Sequence, residues 1–174
     1  MAACVILPPN GPRRLRGLND SKRLTELVRE RLFDRIPKVA LAYGIASVEH
    51  DEIDRINILQ ASLRAMERSL AQALQGAPAS DARTTLVAVD GRIPIRTTLP
   101  QRAFVKGDQR SHGIAAASVL AKVTRDRRMV ALDATYPGYG FAQHKGYPTA
   151  AHRDALRRLG PSPIHRRTFR LLPD

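Results

Sequence analysis

Two aspartates follow neighbouring predicted strands near the middle of the chain. Asp90 ends the buried-type strand LVAVD (residues 86–90) and is followed at once by Gly91. Asp108 follows a short predicted strand (102–106) and precedes a long predicted helix. In open α/β sheets, ligands and catalytic groups gather at the carboxyl ends of strands. If the two carboxylates converge, they could hold a divalent cation such as Mg²⁺, which prefers a few carboxylates plus water and phosphate oxygens.

Each aspartate also has an ordinary explanation. Asp90 could be a turn residue that caps the backbone after its strand, and the spacing alone favours neither role. Asp108 could cap the exposed N–H groups of the helix that follows it. A two-metal phosphoryl-transfer site usually needs about three or four carboxylates to balance its ions. Only these two aspartates stand in convincing positions.

The segment around Asp108, residues 105–127, is strongly basic. Its cations are Lys106, Arg110, Lys122, Arg125 and Arg127, with Arg128 directly after it. Such a surface suits phosphate, so the segment predicts a cation site or a helix cap set inside a phosphate-binding surface. Asp126 lies among these arginines, and we interpret it as a salt-bridge residue that orders the basic helix rather than as a metal ligand.

The loop over residues 136–149 combines aromatic rings with basic side chains. Rings beside cations can stack on a sugar or base while the cations hold phosphate. We assign Tyr147 to ligand contact, because Gly146 and Pro148 flank it, and we expect Tyr136 and Phe141 to be core anchors. The histidines show no HExxH or Cys/His metal spacing, which argues against zinc.

The apolar pattern predicts strands alternating with helices, which indicates an α/β or α+β domain around one mixed sheet. We expect strands over about 1–7, 38–48, 86–90 and 102–106, and helices over about 22–36, 51–75, 111–133 and 149–159. A basic loop (10–17), a polar linker (76–84), an aromatic loop (134–148) and a basic tail after 159 complete the single predicted domain, 1–174.

Two of the predicted helices carry specific expectations. The first should begin after a Ser21 cap and end at Pro37. The second should bury one apolar stripe with spacings of three and four. That stripe contains Ile56, Leu59, Leu63, Met66, Leu70 and Leu74.

The overall charge points to a polyanionic partner. Lysine and arginine number 29 against 16 aspartates and glutamates, a formal net charge of +13. Nucleic acid is the obvious candidate, and the alternative is a protein from a GC-rich genome, in which arginine is simply common. The only cysteine, Cys4, lies in an apolar run and is too poorly exposed for a nucleophile. With no signal peptide and no apolar run near the roughly 20 residues of a membrane span, we expect a soluble cytoplasmic protein.

Seven blocks of sequence together resemble bacterial ribonuclease HII. They are VILPP (5–9), GLNDSKRLTE (17–26), INILQASLRAM (56–66), VDGR (89–92), VKGDQRSHGIAAASVLAKVTRDR (105–127), YPGYGFAQHKGYPTAAH (136–152) and LGPSPIHRRTF (159–169). The resemblance implies a ribonuclease H-like α/β fold, a five-stranded mixed sheet flanked by helices with a helical C-terminal part. It implies metal-dependent cleavage of the RNA strand of RNA–DNA hybrids, and cutting 5′ to ribonucleotides embedded in duplex DNA.

The resemblance also implies roles for particular residues. Asp90 in VDGR would be the third, and Asp108 in VKGD the fourth, of four carboxylates that hold two Mn²⁺ or Mg²⁺ ions. Tyr147 in HKGYPT would pack on the sugar at the DNA–RNA junction. By the same resemblance, Ser118 and Lys122 would contact substrate phosphates. From the basic segment itself we add Lys106 as a substrate contact and Asp126 as a residue that supports the site without binding the metal. A monomer acting in ribonucleotide excision repair is implied as well.

The chain departs from the family pattern at its start. The family's first strand carries an Asp-Glu pair and a Gly-Arg-Gly segment, and it precedes the strand that matches AACVIL here. Two metal ligands would therefore be absent. Either the gene is read from a late start codon, with Met1 where the family commonly has valine, or the chain is a true short form. In the second case it would be a non-catalytic hybrid-binding protein, and no nick is expected from the chain as given.

Overall fold

The structure is a computed structural model, and it describes residues 1–78, 86–169 and 172. Its contacts divide the chain into two compact units, each built from two segments. The first unit comprises Met1–Val48 and Ser62–Val123, and the second comprises Glu49–Ala61 and Thr124–Asp174. The predicted linker lies largely outside the described residues, which omit 79–85, and Gly76 belongs to a helix.

Strands and helices alternate as predicted, and the α/β class is confirmed. The strands are β1 (Ala2–Ile6), β2 (Ala42–Ala46), β3 (Val87–Asp90) and β4 (Gln101–Phe104). The helices are α1 (Gly11–Arg14), α2 (Glu26–Val39), α3 (His50–Gly76), α4 (His112–Thr135), α5 (Phe141–His144) and α6 (Ala150–Leu159), with a single 3₁₀ turn at Gly107–Gln109. The short helices α1 and α5 lie where the sequence predicted loops.

The described strands of the first unit form two pairs. β1 and β2 are antiparallel, and β3 and β4 are parallel, with Asp90 opposite Phe104. Because parallel strands point the same way, the carboxyl ends of β3 and β4 meet at one edge. The segment that leads from Phe104 to Asp108 therefore leaves the sheet beside Asp90.

The main core of this unit lies between α2 and the first half of α4. Both helices place apolar side chains at helical spacing on their facing sides. The buried members are Leu15, Leu32, Ile36, Val39, Ala116, Val119, Leu120 and Val123. A smaller cluster of Leu70, Val87, Val89 and Ile95 packs under β3. The helix that follows Asp108 is thus fixed by burial of its inner face.

Strand β2 approaches α3 very closely at Gly44. A Cβ atom built there would lie 2.2 Å from the Ser69 carbonyl oxygen and 2.8 Å from the Ala73 nitrogen. On the facing side of α3, Ala65, Ser69 and Ala73 are fully buried. Small residues at spacings of four allow this contact, and the sequence analysis missed this second stripe because it followed only the larger apolar residues.

The predicted limits of α2 were wrong at both ends. The helix begins after Thr25, whose hydroxyl accepts a hydrogen bond from the Val28 amide, and not after Ser21. It also continues past Pro37 to Val39. Proline lacks one amide donor, but the Ala40 amide still donates to the Ile36 carbonyl and closes the last turn.

The second predicted helix is interrupted. Within α3, Asn57 has φ 67° and ψ 166°, so two helical segments meet at a kink. The Asn57 side chain accepts from the Gln60 amide, as a cap residue does at the start of a helix. Leu59, which the apolar pattern predicted to be core, follows this kink and is 48% exposed.

The second unit has its own core under the aromatic loop. Tyr139, Phe141, Ala155 and Leu156 are buried there, and Tyr136 packs against them. The predicted anchoring roles of Tyr136 and Phe141 are confirmed. None of the helices that the structure describes has both the length and the apolar character needed to cross a membrane.

Candidate active site at the ends of β3 and β4

The chain turns sharply between β4 and α4, and this turn presents Asp108. Lys106 adopts the left-handed conformation with φ 54°, which is uncommon for a residue with a side chain. The 3₁₀ turn Gly107–Gln109 follows directly. Non-glycine residues held in this region persist only where the surroundings fix them, and they often lie at functional sites.

A hydrogen bond joins the two aspartate motifs. The Gly107 amide donates to Oδ1 of Asp90 at 2.9 Å, and the Gly91 amide donates to the Phe104 carbonyl at 2.9 Å. Asp90 therefore does not act as a local turn cap. Its carboxylate is oriented by a residue 17 positions later, next to Asp108.

No other residue than glycine fits at position 107 without displacement of its neighbours. A Cβ atom there would lie 2.5 Å from Cδ1 of Ile114 and 3.2 Å from Oδ1 of Asp90. Ile114 is buried in the first turn of α4. The absent side chain lets the Gly107 amide approach the Asp90 carboxylate while α4 stays packed below it.

Ser111, and not Asp108, caps the start of α4. The Ser111 hydroxyl accepts from the Ile114 amide at 3.5 Å, and the Ser111 carbonyl accepts from the Ala115 amide at 2.9 Å. Ser111 therefore serves the first turn of α4. The Asp108 carboxylate interacts instead with the carboxylates of Asp20 and Asp90.

Asp20 is a third carboxylate of this cluster, and the sequence analysis did not select it. Asp20 is 8% exposed and lies 70 residues before Asp90 in the chain. Its Oδ1 accepts from the Lys22 amide at 2.9 Å, and its Oδ2 accepts from Nε2 of Gln109 at 3.4 Å. The Lys22 amide, together with hydrogen bonds from Gln109 and Asp108, lowers the pKa of Asp20.

The pKa of Asp108 is shifted in the opposite direction, upward, by the same cluster. Burial raises the pKa of the Asp108 carboxyl, and repulsion from Asp20 and Asp90 and a hydrogen bond to Asp20 raise it further. Like charges held close together oppose ionisation of one another. The cluster thus concentrates negative charge that its own side chains do not fully balance.

The donor set suits a hard divalent cation. Carboxylate oxygens are the protein ligands that Mg²⁺ and Mn²⁺ prefer, and a cation would relieve the repulsion that acts on Asp108. Asp90 and Asp108 stay the predicted ligands. Within the described residues, no group of three or more His, Cys, Asp and Glu side chains has the arrangement of a complete metal site.

The predicted phosphate contacts in the first unit lie near this turn in the chain. Ser118, on α4, shares a hydrogen bond of 2.6 Å with the Ser21 hydroxyl, next to Asp20. Lys122 lies one turn further along α4 and is partly buried. Lys106 is exposed at the left-handed position beside Gly107.

Tyr147 and Asp126 belong to the second unit. Tyr147 is 51% exposed, and the Arg125 guanidinium carbon lies 5.3 Å from the centre of its ring. Asp126 lies 3.8 Å from Arg125, in agreement with the predicted ion pair. A half-exposed tyrosine ring that lies beside a cation can receive a flat or sugar-like ligand.

Cys4 belongs to β1, and its surroundings make it unreactive. Burial raises the pKa of its thiol to about 11. The reactive thiolate is therefore scarce at neutral pH, as the sequence analysis expected.

A family comparison decides the class of the protein. The family model described as Ribonuclease HII matches residues 1–172. The chain belongs to the ribonuclease HII family. Ribonucleases HII are hydrolytic endoribonucleases that act on RNA–DNA hybrids and depend on divalent metals. The resemblance inferred from the sequence blocks is confirmed.

Individual relatives agree with this family. The chain is 51% identical over 170 residues to a ribonuclease HII of Syntrophotalea carbinolica, covering 98% of this chain and 77% of the relative. The crystal structure of ribonuclease H2 from Pyrococcus horikoshii has a TM-score of 0.70 at 26% identity, covering 95% of this chain and 83% of the other. Ribonuclease HII of Archaeoglobus fulgidus, solved with PCNA, has a TM-score of 0.72 at 22% identity, covering 98% and 92%, which supports the ribonuclease H-like fold.

The carboxylate cluster predicts a pH dependence of stability in the absence of metal. Because the pKa of Asp108 is raised above 3.8 by folding, the folded state binds more protons than the unfolded state just above that pH. The free energy of unfolding should therefore fall as the pH rises through this range. In Asp108→Asn this decline should be lost, so that with EDTA the variant unfolds at a higher urea concentration than the wild type near pH 7.

The matched control is Asp34→Asn, on the exposed surface of α2. It should follow the wild-type profile. Parallel profiles for the wild type and Asp108→Asn would contradict the repulsion that we assign to the cluster.

Proposed function

We propose that this chain is a metal-dependent endonuclease that hydrolyses the RNA strand of RNA–DNA hybrids and cuts 5′ to ribonucleotides embedded in duplex DNA. The observation that carries the proposal is the hydrogen bond from Gly107 to Asp90, which holds the VDGR and VKGD motifs together. Family membership supplies the class of reaction.

Asp90 and Asp108 would hold the divalent cation, Mg²⁺ or Mn²⁺. When bound, such a cation supplies charge stabilisation at the phosphate and lowers the pKa of the attacking water. The Gly107 amide keeps the Asp90 carboxylate oriented. Asp20, bonded to Lys22 and Gln109, keeps its negative charge beside Asp108, and this charge would add to the attraction for a cation.

The substrate would be held by cations around this edge. Lys106 and Lys122 would contact phosphates, and the Ser118 hydroxyl, positioned by Ser21, would contact the backbone near the cut. The net charge of +13 gives these contacts long-range support. Tyr147, supported by Arg125, would pack on the sugar at the DNA–RNA junction.

The setting of the reaction stays a prediction from the sequence. We propose that the chain acts as a monomer, in the cytoplasm, in ribonucleotide excision repair. The Archaeoglobus fulgidus protein was solved in a complex with PCNA.

The reaction is tested with a DNA duplex that contains one ribonucleotide, in Mg²⁺ or Mn²⁺. We expect a nick 5′ to the ribonucleotide from a version of the chain preceded by a strand with the Asp-Glu pair, and the 174-residue chain is assayed beside it. Asp90→Asn and Asp108→Asn should each lower the rate by at least about 100-fold, the scale of losing a group that stabilises transition-state charge.

Asp34→Asn is again the control and should cut at the wild-type rate. Retained cutting in Asp90→Asn or Asp108→Asn would refute the assignment of these two residues. Salt-sensitive duplex binding without a nick in both forms would instead favour the non-catalytic hybrid-binding protein.

The role of Tyr147 is tested by Tyr147→Ala. Loss of ring stacking should lower cutting at an embedded ribonucleotide by about 10- to 100-fold, whereas affinity for the duplex, which depends mainly on charge, should change much less. Tyr43→Ala, which removes another exposed tyrosine, should alter neither quantity. Equal losses of cutting and of duplex affinity in Tyr147→Ala would contradict a junction-sensing role.

A further inference from the structure

The backbone carbonyl of Tyr147 lies at the end of a chain of hydrogen bonds between histidines. Nδ1 of His152 lies 3.0 Å from this carbonyl oxygen, and Nε2 of His152 lies 3.2 Å from Nε2 of His165. At the far end, Nδ1 of His165 lies 2.9 Å from the Ser162 amide nitrogen. We call Ser162, His165 and His152 the histidine relay.

The partners at the two ends fix the proton on every ring. A backbone amide only donates, so Nδ1 of His165 accepts from Ser162 and its proton is on Nε2. A carbonyl only accepts, so Nδ1 of His152 carries the proton that is donated to Tyr147. The His165 Nε2–H group therefore donates to the bare Nε2 of His152. The bond from Ser162 and the contact between the two rings require bare ring nitrogens, whereas the bond from His152 to Tyr147 persists when His152 is charged.

His144 holds the same loop, also through one hydrogen bond at each ring nitrogen. The Gly146 amide donates to Nδ1 of His144 at 3.1 Å, and Nε2 of His144 donates to the Tyr139 carbonyl at 2.8 Å. The rings of His144 and His152 stack with their centres 4.2 Å apart and an interplanar angle of 14°. Both histidines are buried, so the loop rests on a buried pair of stacked imidazole rings.

Protonation of the relay would break it. A proton on Nε2 of His152 would make two N–H groups face each other across the 3.2 Å contact with His165. It would also place a charge against the stacked ring of His144. Burial is the largest cause that lowers the pKa of both His152 and His165 from the ordinary 6.5, and the charge of a neighbouring histidine adds to it. The hydrogen bond to Tyr147 opposes this shift of the pKa in His152, and the one to Ser162 opposes it in His165.

The surrounding elements carry further charged groups. His50 on α3 acts on His165, and Arg153 on α6 donates to the Pro148 carbonyl. The remaining charged groups are Arg125 of α4 under the Tyr147 ring, Lys145 bonded to the Ala142 carbonyl, Arg166 beside Phe169 in the tail, and Asp54 of α3, whose carboxylate accepts from the amides of Arg167 and Thr168. The basic groups oppose a proton on the relay, and the Asp54 charge is engaged by the tail.

We propose that His152 and His165 are positioning residues for Tyr147. The Nδ1–H group of His152 holds the Tyr147 carbonyl, and the neutral His165 ring holds His152 in place, so that acid breaks the contact between the two rings and removes this support from His152. This inference rests on the proposed role of Tyr147 in junction recognition. The contact between the two neutral rings stabilises the folded loop fully above pH 6.5, and this contribution is lost as the pH falls toward the lowered pKa values.

The relay itself is tested without nucleic acid, by NMR of the 174-residue chain. Nitrogen shifts should identify a proton on Nδ1 of His152 and on Nε2 of His144 and His165. The carbonyl carbon of Tyr147 should shift with the same apparent pKa as His152, below 6.5. Rapidly exchanging tautomers that titrate near the ordinary value, or a Tyr147 carbonyl that does not follow His152, would overturn the proposal.

Two substitutions separate the hydrogen bond from simple packing. In His152→Asn, the amide can still donate to Tyr147 and cannot be protonated, so the Tyr147 signals should stay near their wild-type positions and lose their acid shift. In His152→Leu, which removes the donor, those signals should move at every pH. Wild-type Tyr147 signals in His152→Leu would overturn the relay, and His152→Asn provides the test if the leucine variant does not fold.

The functional consequence is measured as the ratio of affinities for a ribonucleotide-containing duplex and an all-DNA duplex. His152→Leu should lower this ratio by about tenfold, the scale of one hydrogen bond, and His152→Asn should restore it. If Tyr147→Ala leaves the ratio unchanged at every pH, the proposed sensing role of Tyr147 is wrong. The NMR spectra of the histidines then still show whether the hydrogen bonds of the relay exist.

Discussion

The hydrogen bond from the Gly107 amide to the Asp90 carboxylate is the contact on which the rest of the active-site geometry depends. It forms because β3 and β4 are parallel, so that both strands deliver their next residues to one edge. It requires a residue without a side chain at position 107, since Ile114 of α4 occupies the space below. Sheet, turn and helix thus converge on one amide, and Asp108 is presented beside Asp90 as a consequence.

The price of this arrangement is electrostatic. Asp20 and Asp90 oppose ionisation of Asp108, and burial adds to their effect. A site that binds a divalent cation must hold negative charges closer together than they would lie by themselves. The surrounding fold holds these carboxylates close together. Helix α4 is anchored by a buried face, and Asp20 is fixed by hydrogen bonds from Lys22 and Gln109.

The positions of Asp90 and Asp108 after neighbouring strands left it open whether the two carboxylates converge, and it was the resemblance that assigned both to one site. Asp20 escaped notice because an aspartate in a turn satisfies its own backbone, and only the folded chain brings it to Asp108. The kink at Asn57 escaped notice because the apolar spacing of Ile56 and Leu59 continues across it. Likewise, the histidine relay has no sequence signature: its members are recognised only once their ring nitrogens are seen to meet particular carbonyls and amides.

The central claim is that the edge formed by β3 and β4 binds a divalent cation through Asp90 and Asp108. The most direct measurement is a titration of Mn²⁺ into the ¹⁵N-labelled chain, in which the paramagnetic ion weakens the signals of nearby amides. The account predicts that the amides of Gly91, Gly107 and Asp108 lose intensity first, and that this order disappears in the double variant Asp90→Asn/Asp108→Asn. Loss of intensity that begins elsewhere, or that is the same in the double variant, would contradict it.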